Sequence, residues 1–281
     1  MIARTGPPLR TGPEDRVGLV SSLLVERRGH TTVFTLNRPD KLNAYDEELR
    51  DGITAAMRAF EADPEQYVGI VTGAGERAFC SGSDLATPTG GRTALQERPF
   101  PLTDMFGIGA VSKPMIAAVN GLAVGGGCEI ALACDVRMAA DTAWFGLLEP
   151  KRGIIPGVAA QLLPRMLSSG DAAWMLLTAE RVDAAEAHRI GLVQRVVPPA
   201  ALQVEAQRVA ETMGSLSQVA LQTIKKLLRN QRDLLLKESL VLGEVLTQLF
   251  NLGPDVDEGI QAFREKREPR FTNRWPGRPP A

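Results

Sequence analysis

The sequence predicts an α/β fold, with a core built on β-sheet and a following region made of helices. In the first two thirds of the chain, short apolar runs of strand character alternate with amphipathic helical stretches. From about residue 200 onward, helical periodicity dominates. We therefore expect a flexible N-terminal tail at residues 1–17, a mixed core at residues 18–200 and a helical region at residues 201–281.

Composition and charge narrow the classes of protein to which this chain can belong. Of its 281 residues, 44% are hydrophobic and 23% are charged, and the formal net charge is -1. This balance gives no general attraction to nucleic acid. No apolar run reaches the length of a membrane span, and the N-terminus lacks an apolar signal core. The three cysteines lack metal-ligand spacing, so we expect a cytoplasmic protein without nucleic-acid or membrane partners.

Histidine is scarce, which restricts the available chemistry. The only two histidines, His30 and His188, stand apart in sequence and are expected at the surface. The sequence therefore predicts neither a metal site nor a Ser-His-Asp triad. Any catalysis has to use carboxylates and backbone N–H donors.

The N-terminal elements follow from residue alternation and from capping. The segments Ser22–Arg27 and Thr31–Leu36 read as two strands joined by a tight turn. Asp46 is a suitable N-cap for a helix that runs to Phe60. The apolar residues that share one face of this helix are Leu49, Ile53, Ala56, Met57 and Phe60. We expect that face to pack on the core.

The middle of the chain is punctuated by small residues. Val68–Thr72 is expected to form a buried strand, and Ala78–Leu85 a turn of small residues after an apolar stub. A helix is expected over Pro101–Ala110, and the proline of Lys113-Pro114 separates it from the next element. Met115–Val119 is then predicted to be the strand that leads into a glycine-rich block.

That glycine-rich block, Val119–Glu129, is the stretch around which the chain is organised. It reads as a strand end and a turn with three consecutive glycines, followed by a helix at Glu129–Cys134. The first N–H groups of a helix and its dipole favour negative charge, either a bound anion or an oxyanion that develops during a reaction. Glu129 would add a carboxylate beside this position. A plain tight turn with an acid in the first helical turn is the alternative.

Nucleotide-binding motifs do not match this block. A dinucleotide fingerprint needs G-x-G-x-x-G and an acid about 20 residues later, whereas the acid here follows the glycines directly. A P-loop needs Gly-Lys-Ser/Thr, which is absent from the sequence. Phosphates of a nucleotide are therefore not the favoured ligand of this turn.

The C-terminal third is predicted to be helical, apart from a strand at Leu192–Val197. It follows two short strands at Asp135–Ala139 and Ala143–Gly146. The helix expected at Asp233–Phe250 carries apolar residues on more than one face. A helix that packs on a single core needs only one apolar stripe, so we expect another subunit to cover the second face.

Several ordered blocks of this chain resemble the enoyl-CoA hydratase/isomerase (crotonase) family. They run from about Leu24 to Phe271, so the resemblance covers nearly the whole chain. The blocks are Leu36–Ala44, Ala78–Leu85, Lys113–Asp135, Gly153–Gly157 and Ala262–Arg267. Each block alone is weakly specific, and together in this order they are strongly specific for the family.

The resemblance implies a spiral of ββα units with a C-terminal α-helical oligomerisation region. It implies a homo-oligomer, a trimer or a hexamer built from two trimers, in agreement with the second apolar face of the helix at Asp233–Phe250. The implied substrate is a coenzyme A thioester, and no separate cofactor is expected. The implied enzyme is a lyase of fatty acid metabolism, an enoyl-CoA hydratase that adds water to a trans-2-enoyl-CoA to give a 3-hydroxyacyl-CoA.

The resemblance also assigns catalytic roles. The backbone N–H groups of Ser83 and Gly126 would form an oxyanion hole for the thioester oxygen, which carries the charge of an enolate intermediate. Glu129 and Glu149 occupy the family's two glutamate positions, and hydration needs both a base and an acid. We expect Glu129 mainly to hold the water and Glu149 to donate the proton to the α-carbon.

Further residues match the family's substrate-binding and CoA-binding positions. Phe263 and Lys266 match positions that reach the nucleotide end of a neighbouring subunit's CoA, although core packing and a solvated face explain them equally well. The remaining candidates are Lys41, Asn43, Ala44, Ser81, Gly82, Asp84, Leu85, Gly125, Pro156 and Gly157.

Two departures from the family pattern concern the acyl group and hydration. Relatives place a proline before the second glutamate, whereas Pro150 follows Glu149 here and would restrict it toward extended geometry. The usual G-A-G-G-T is Gly157-Val158-Ala159-Ala160-Gln161, which adds bulk. A double-bond isomerase that uses Glu149 is the nearest alternative reaction. A non-catalytic CoA-binding protein is the alternative of another class.

Overall fold

The structure is a computed structural model that describes residues 21–84, 105–233 and 236–273. The side chains of residues 232, 233, 236, 237, 239 and 250 are excepted from that description. The expected N-terminal tail, the candidate residue Leu85 and the first part of the helix expected at Pro101–Ala110 lie outside the described residues.

The larger of the sheets in the described residues has the strand order β1-β2-β3-β5-β7-β10. The β1–β2 pair is antiparallel, and every later pair in this sheet is parallel. Its strands are β1 (Leu23–Arg28), β2 (Thr31–Leu36), β3 (Val68–Gly73), β5 (Met115–Val119), β7 (Val136–Ala140) and β10 (Arg195–Val197).

The smaller sheet has the strand order β4-β6-β8-β9. The first two pairs are parallel, and β9 returns antiparallel to β8. Its strands are β4 (Ala78–Cys80), β6 (Leu122–Val124), β8 (Trp144–Gly146) and β9 (Val182–Asp183). The aromatic residues Phe79 and Phe145, at the centres of β4 and β8, are fully buried.

The helices begin after the first hairpin and dominate the second half of the chain. We number those of the described residues α1 (Glu47–Ala62), α2 (Gly126–Ala133), α3 (Gly157–Met166), α4 (Ser169–Thr178), α5 (Ala184–Arg189), α6 (Pro199–Gly214), α7 (Gln218–Asp233), α8 (Leu236–Asn251) and α9 (Pro254–Glu265). Helix α6 packs against strands β3, β5 and β7 of the larger sheet.

A repeating unit connects these elements. The chain passes from β5 in the larger sheet to β6 in the smaller sheet and then into α2, and it repeats this path through β7, β8 and α3. This is the spiral of ββα units that the family resemblance implies, and the α/β prediction is confirmed. Because β6 and β8 are parallel neighbours, the segments that lead into α2 and α3 leave the sheet at the same edge.

The N-terminal predictions agree closely with the structure. Strand β2 has the predicted bounds, and Asp46 caps α1 by accepting a hydrogen bond from the Leu49 N–H at 3.0 Å. The predicted apolar face of α1 is buried throughout, because it packs on the core. Local alternation and capping were therefore sufficient to define this part of the fold.

Three predicted elements need correction. The glycine-rich block contains an additional strand, β6, and α2 begins at Gly126 rather than at Glu129. The helix predicted over Pro101–Ala110 is wrong for residues 105–110, which form turns. Met105, Phe106 and Gly107 have φ angles of 39°, 64° and 92°, and these left-handed conformations cannot continue a helix. The strand expected over Leu192–Val197 begins only at Arg195.

A buried lysine ties the C-terminal helices to the core. The Nζ atom of Lys225 on α7 lies 2.6 Å from the Asp135 carboxylate and donates to the Lys113 carbonyl at 2.6 Å. Desolvation by burial lowers the pKa of Lys225. Among the helices of the described ranges, none combines the length and the apolar character that a membrane span requires.

Candidate active site

The glycine-rich turn between β6 and α2 forms the centre of the site. Gly125 has a φ of 57°, a left-handed conformation that favours glycine, and its N–H donates to the Gly146 carbonyl at 2.8 Å. Gly126 is the first residue of α2, so its N–H has no acceptor within the helix. The turn therefore presents a backbone donor at the positive end of a fully buried helix.

A second turn, at Ser81–Asp84, lies directly against the first. Gly82 has a φ of 93°, and a Cβ atom placed on it would lie 3.3 Å from the Gly126 nitrogen. Ser83 forms an isolated parallel bridge with Tyr45, and the bonds of that bridge use the carbonyl of Gly82 and the N–H of Asp84. The N–H of Ser83 itself is not used by this bridge. The structure thus brings the turns of Ser83 and Gly126 together.

Glu129 is held inside the core by the start of a neighbouring helix. Its side chain is completely buried, and its Oε1 atom accepts hydrogen bonds from the backbone N–H groups of Val158 at 2.9 Å and Ala159 at 3.1 Å. These donors belong to the first turn of α3, where N–H groups lack helical acceptors. One carboxylate oxygen of Glu129 is therefore fixed in position.

The side chain of Glu149, in the segment that follows β8, lies against the same glycine-rich turn. It begins a short 3-10 helix, Glu149–Arg152, and a Cβ atom placed on Gly125 would lie 3.2 Å from its Oε1 atom. The expectation that Pro150 restricts Glu149 to extended geometry is wrong. Pro150 stands within the first two positions of the 3-10 helix, where its missing N–H costs no hydrogen bond.

The charges of both carboxylates affect the pKa of the buried Cys128 thiol. Desolvation by burial raises its pKa, and the charges of Glu129 and Glu149 raise it further. Both acids therefore lie near the first turn of α2. Within the described ranges, no three His, Cys, Asp or Glu side chains lie close enough to share a metal ion.

The loop before α1 adjoins the second turn. Asn43 is fully buried, and its side chain donates to the carbonyls of Ala74 and Ala78. Lys41 is exposed, and Ala44 is buried beside it. The Ser81 N–H donates to the Leu42 carbonyl at 3.1 Å. These backbone bonds hold the Lys41–Ala44 and Ser81–Asp84 segments side by side.

The other candidate residues fall into two places. Pro156 is the N-cap of α3 and Gly157 is its first residue, so both stand beside the N–H groups that hold Glu129. Phe263 and Lys266 lie at the end of α9, where the side chain of Phe263 is 85% exposed and Lys266 is also exposed.

Sequence reasoning missed two residues that organise the second turn. Arg38 contacts Asp46 at 3.0 Å and Asp84 at 3.0 Å, and it donates to the Ala44 carbonyl at 2.6 Å. Tyr45 bridges to Ser83 through its backbone. Arg38 stands in the first family block and Tyr45 directly follows it. No sequence pattern indicates their contacts with Asp84 and Ser83, because these partners are distant along the chain.

Comparisons with known proteins identify the family to which the chain is similar. A sequence model of the enoyl-CoA hydratase/isomerase family matches residues 26–274. A probable enoyl-CoA hydratase of Rhizobium meliloti is 40% identical over 259 residues, which cover 90% of this chain and 98% of the relative. The (E)-benzylidenesuccinyl-CoA hydratase of Thauera aromatica is 38% identical over 253 residues, 88% of this chain and 97% of the relative. The crystal structure of an enoyl-CoA hydratase from Bacillus anthracis superposes with a TM-score of 0.85 at 33% identity, and the match covers 90% of this chain and 100% of that chain.

Proposed function

The chain belongs to the enoyl-CoA hydratase/isomerase family, and from this premise we propose that it hydrates a trans-2-enoyl-CoA to a 3-hydroxyacyl-CoA. The observation that carries the proposal is the convergence of two glutamates on one glycine-rich turn. Glu129 is fixed by two N–H groups of α3, and Glu149 lies against Gly125. Hydration needs two proton-transfer groups, and this pair supplies them.

The backbone donors stabilise the charge that develops on the thioester. When water adds to C3 of the enoyl group, negative charge moves to the thioester oxygen and an enolate forms. The N–H groups of Ser83 and Gly126 donate hydrogen bonds to that oxygen. Removing one donor of this kind costs about 10²–10³-fold in rate in known enzymes. The role of Ser83 thus belongs to its backbone, and its hydroxyl is not a nucleophile.

The two glutamates divide the proton transfers. Because Oε1 of Glu129 is occupied by the N–H groups of Val158 and Ala159, this residue holds the water through its other oxygen. Glu149 donates a proton to the α-carbon as the C3–O bond forms. The proton released by the water returns to the glutamate pair, so the enzyme ends the cycle in its initial protonation state.

CoA is bound by backbone groups and by a neighbouring copy of the chain. The segment Lys41–Ala44 and the adjoining second turn, Ser81–Asp84, hold the thioester end. Phe263 stacks on the adenine of a neighbouring subunit's CoA, and Lys266 meets its phosphate. The exposure of both residues at the end of α9 supports this role.

A homo-oligomer, either a trimer or a hexamer of two trimers, completes the protein. The support comes from α8, where Leu240 is 63% exposed and Val241 is 62% exposed in the single chain. Apolar side chains exposed to this extent along one helix indicate a contact surface. A cytoplasmic location is proposed as well, supported by the three buried free cysteines.

The experiment follows the loss of enoyl absorbance when the protein is mixed with a panel of 2-enoyl-CoA thioesters of straight, branched and aromatic acyl groups. The native protein is expected to hydrate at least one of them. Glu129→Gln and Glu149→Gln are each expected to lower the rate by about 10²–10⁴-fold, because each removes a proton-transfer group. Circular dichroism of both variants checks that the fold is retained.

A double-bond isomerase would give a different result. It needs one well-placed glutamate, and Glu149 would be that residue. Conversion of a 3-enoyl-CoA to its conjugated isomer without hydration, lost in Glu149→Gln alone, would favour the isomerase. Binding of CoA thioesters without either conversion would favour a non-catalytic CoA-binding protein.

A further inference from the structure

Tyr45 connects the two turns that carry the proposed oxyanion donors. It follows the Lys41–Ala44 segment, and its side chain is only 8% exposed. Its N–H donates to the Gly82 carbonyl at 2.9 Å, and its carbonyl accepts from the Asp84 N–H at 2.9 Å. These bonds lie on either side of Ser83, so the backbone of Tyr45 fixes the segment that contains the first donor.

The side chain of Tyr45 contacts the second donor residue. A Cβ atom placed on Gly126 would overlap the phenol oxygen of Tyr45 and would lie 2.8 Å from its Cε1 atom. The phenol therefore occupies the space beside the Gly126 Cα atom. Phe106 packs edge-on against the ring, with 5.0 Å between the ring centroids and an interplanar angle of 71°. The ring therefore contacts both Gly126 and Phe106.

A second group holds the segment of Tyr45 in place. The Arg38 guanidinium donates to the Ala44 carbonyl at 2.6 Å and to the Asp84 carboxylate at 3.0 Å. It thus ties the residue before Tyr45 to the residue after Ser83. Tyr45 has little freedom to shift relative to the second turn, and its phenol transmits that position to Gly126.

We propose that Tyr45 is a positioning residue that sets the spacing between the N–H donors of Ser83 and Gly126. The inference rests on the proposed function, because it concerns how the thioester oxygen is bound. The two donors come from distant parts of the chain, yet both have to lie about 2.7–3.1 Å from one oxygen atom. Tyr45 contacts one donor segment through its backbone and the other through its side chain.

The substitution series separates the hydroxyl from the ring. Tyr45→Phe removes the oxygen that lies closest to Gly126, and Tyr45→Leu removes the ring as well. Because an error of about 1 Å in position can cost about 10²-fold in rate, we expect kcat to fall roughly tenfold in Tyr45→Phe and roughly 100-fold in Tyr45→Leu. The KM for the thioester is expected to stay within about threefold, since the donors act mainly on the transition state.

The matched control is the other tyrosine of the chain. Tyr67 directly precedes β3 and stacks on His30, with ring centroids 4.2 Å apart. Tyr67→Phe removes the same hydroxyl group from a position that does not touch either turn. It is expected to hydrate at the native rate.

A spectroscopic readout tests donor spacing without turnover. Acetoacetyl-CoA is a 3-ketoacyl thioester whose enolate has its own near-ultraviolet band, and a correctly spaced pair of donors favours that enolate on the protein. We expect the band to be strong with the native protein and with Tyr67→Phe, weaker with Tyr45→Phe and weakest with Tyr45→Leu. A merely structural role for Tyr45 would change stability but leave the enolate fraction of bound ligand unchanged.

The outcomes distinguish this inference from the proposed function. If the native protein hydrates no enoyl-CoA but the enolate band falls along the Tyr45 series, the reaction assignment fails and the role of Tyr45 stands. If hydration is confirmed but the Tyr45 variants keep the native kcat and the native enolate band, the role of Tyr45 is overturned. Equal losses in Tyr67→Phe and Tyr45→Phe would overturn it as well.

Discussion

Helix α2 of the candidate active site and helix α8 of the C-terminal region differ in how much of their surface is buried. All eight residues of α2, Gly126–Ala133, are buried within the single chain. On α8, Leu246 is buried, whereas Leu240, Val241, Val245 and Leu249 are between 48% and 63% exposed. Both helices are apolar on more than one face, yet one chain covers only the first of them completely.

This difference separates what one chain provides from what an assembly has to add. Helix α2 is buried on every side because it lies inside the core, and we propose that its N-terminal N–H groups and Glu129 serve the ligand. The described contacts of Glu129 and Glu149 are likewise made within the single chain. Among the described residues, the apolar side chains along α8 are not covered in this way, so the proposed oligomer concerns this region first.

The largest effect is expected from closing the space between the two turns. A Cβ atom on Gly127 would overlap the Cys80 carbonyl oxygen and lie 2.6 Å from its carbonyl carbon, and backbone atoms cannot rotate away. Gly127→Ala is expected to lower the free energy of unfolding by about 3 kcal/mol, measured by urea denaturation. The hydration rate should fall at least about 10²-fold, since both donors shift.

Gly214→Ala is the matched control for this substitution. In the described part of the chain, a Cβ placed on Gly214, at the end of α6, meets no atom within 4 Å outside its chain neighbours and the nearby backbone of its own helix. It is expected to change the free energy of unfolding by less than about 0.5 kcal/mol. Equal stability of the Gly127 and Gly214 variants would show that the two turns are not packed as closely as described.

An intermediate effect on stability is expected from ion pairs, and its size should depend on how deeply each pair is buried. Arg38 joins Asp46, Asp84 and the Ala44 carbonyl, and the Asp84 side chain is only 9% exposed. Arg38→Met is expected to lower the free energy of unfolding by about 2 kcal/mol, because it removes charged hydrogen bonds from a nearly buried carboxylate. Chemical denaturation measures this change, and the kcat for hydration is expected to fall about tenfold.

The exposed pair of α6 provides the comparison. Arg208 lies 2.7 Å from Glu205, but its side chain is 52% exposed. Arg208→Met is expected to leave both the free energy of unfolding and kcat essentially unchanged, because solvent screens an exposed ion pair. A loss of stability as large as that of Arg38→Met would contradict the distinction between the nearly buried pair and the exposed pair.

A smaller effect on the rate, but a large one on assembly, is expected from α8. The double substitution Leu240→Asp and Val241→Asp places charge on a surface that we propose to be covered by another copy. Light scattering coupled to size exclusion is expected to give a smaller particle, with the fold of each chain retained. Thr212→Asp, on an exposed position of α6, is the control. An unchanged particle size in the double variant would contradict the proposed interface.

Near neutral pH, the smallest effect on stability is expected from the buried thiols. Burial raises the pKa of Cys80 and of Cys134 to about 12, from an ordinary value of 9.0. At pH 8 these thiols and that of Cys128 should react slowly with a disulfide reagent in the folded protein and quickly in urea. Because the unfolded thiols ionise first, the free energy of unfolding contributed by these groups should fall as the pH rises from about 9 toward 12. Rapid reaction of all three in the folded state would contradict their burial.

Local rules were sufficient for much of the fold. The hairpin of β1 and β2 and the capped helix α1 follow from alternation, from Asp46 and from one apolar face. The short strand β6 escaped prediction because Leu122–Val124 is enclosed by glycines and pairs only with strands that are distant along the chain. The helix predicted through residues 105–110 failed because consecutive left-handed residues, Met105 among them, have no sequence signature there.

The sequence indicated which residues belong to the candidate site, but it did not indicate how they are arranged in space. Family motifs indicated Glu129, Glu149, Ser83 and Gly126 from the sequence. That the N–H groups of α3 fix one oxygen of Glu129 could not be deduced, because the helices α2 and α3 meet only through the sheet topology. The contact between Tyr45 and Gly126 could not be deduced either. The two residues are far apart along the chain, and no local sequence pattern indicates that they meet.

The most direct test of the account measures where the oxygen of water goes. The protein is mixed with its best 2-enoyl-CoA substrate in water enriched in oxygen-18, and the product is analysed by mass spectrometry. We predict a 3-hydroxyacyl-CoA that carries one heavy oxygen with the native protein, and no more of it than without protein for Glu149→Gln. If the native protein binds the thioesters but forms no labelled product from any of them, the proposal that the two glutamates activate water at the glycine-rich turn is contradicted.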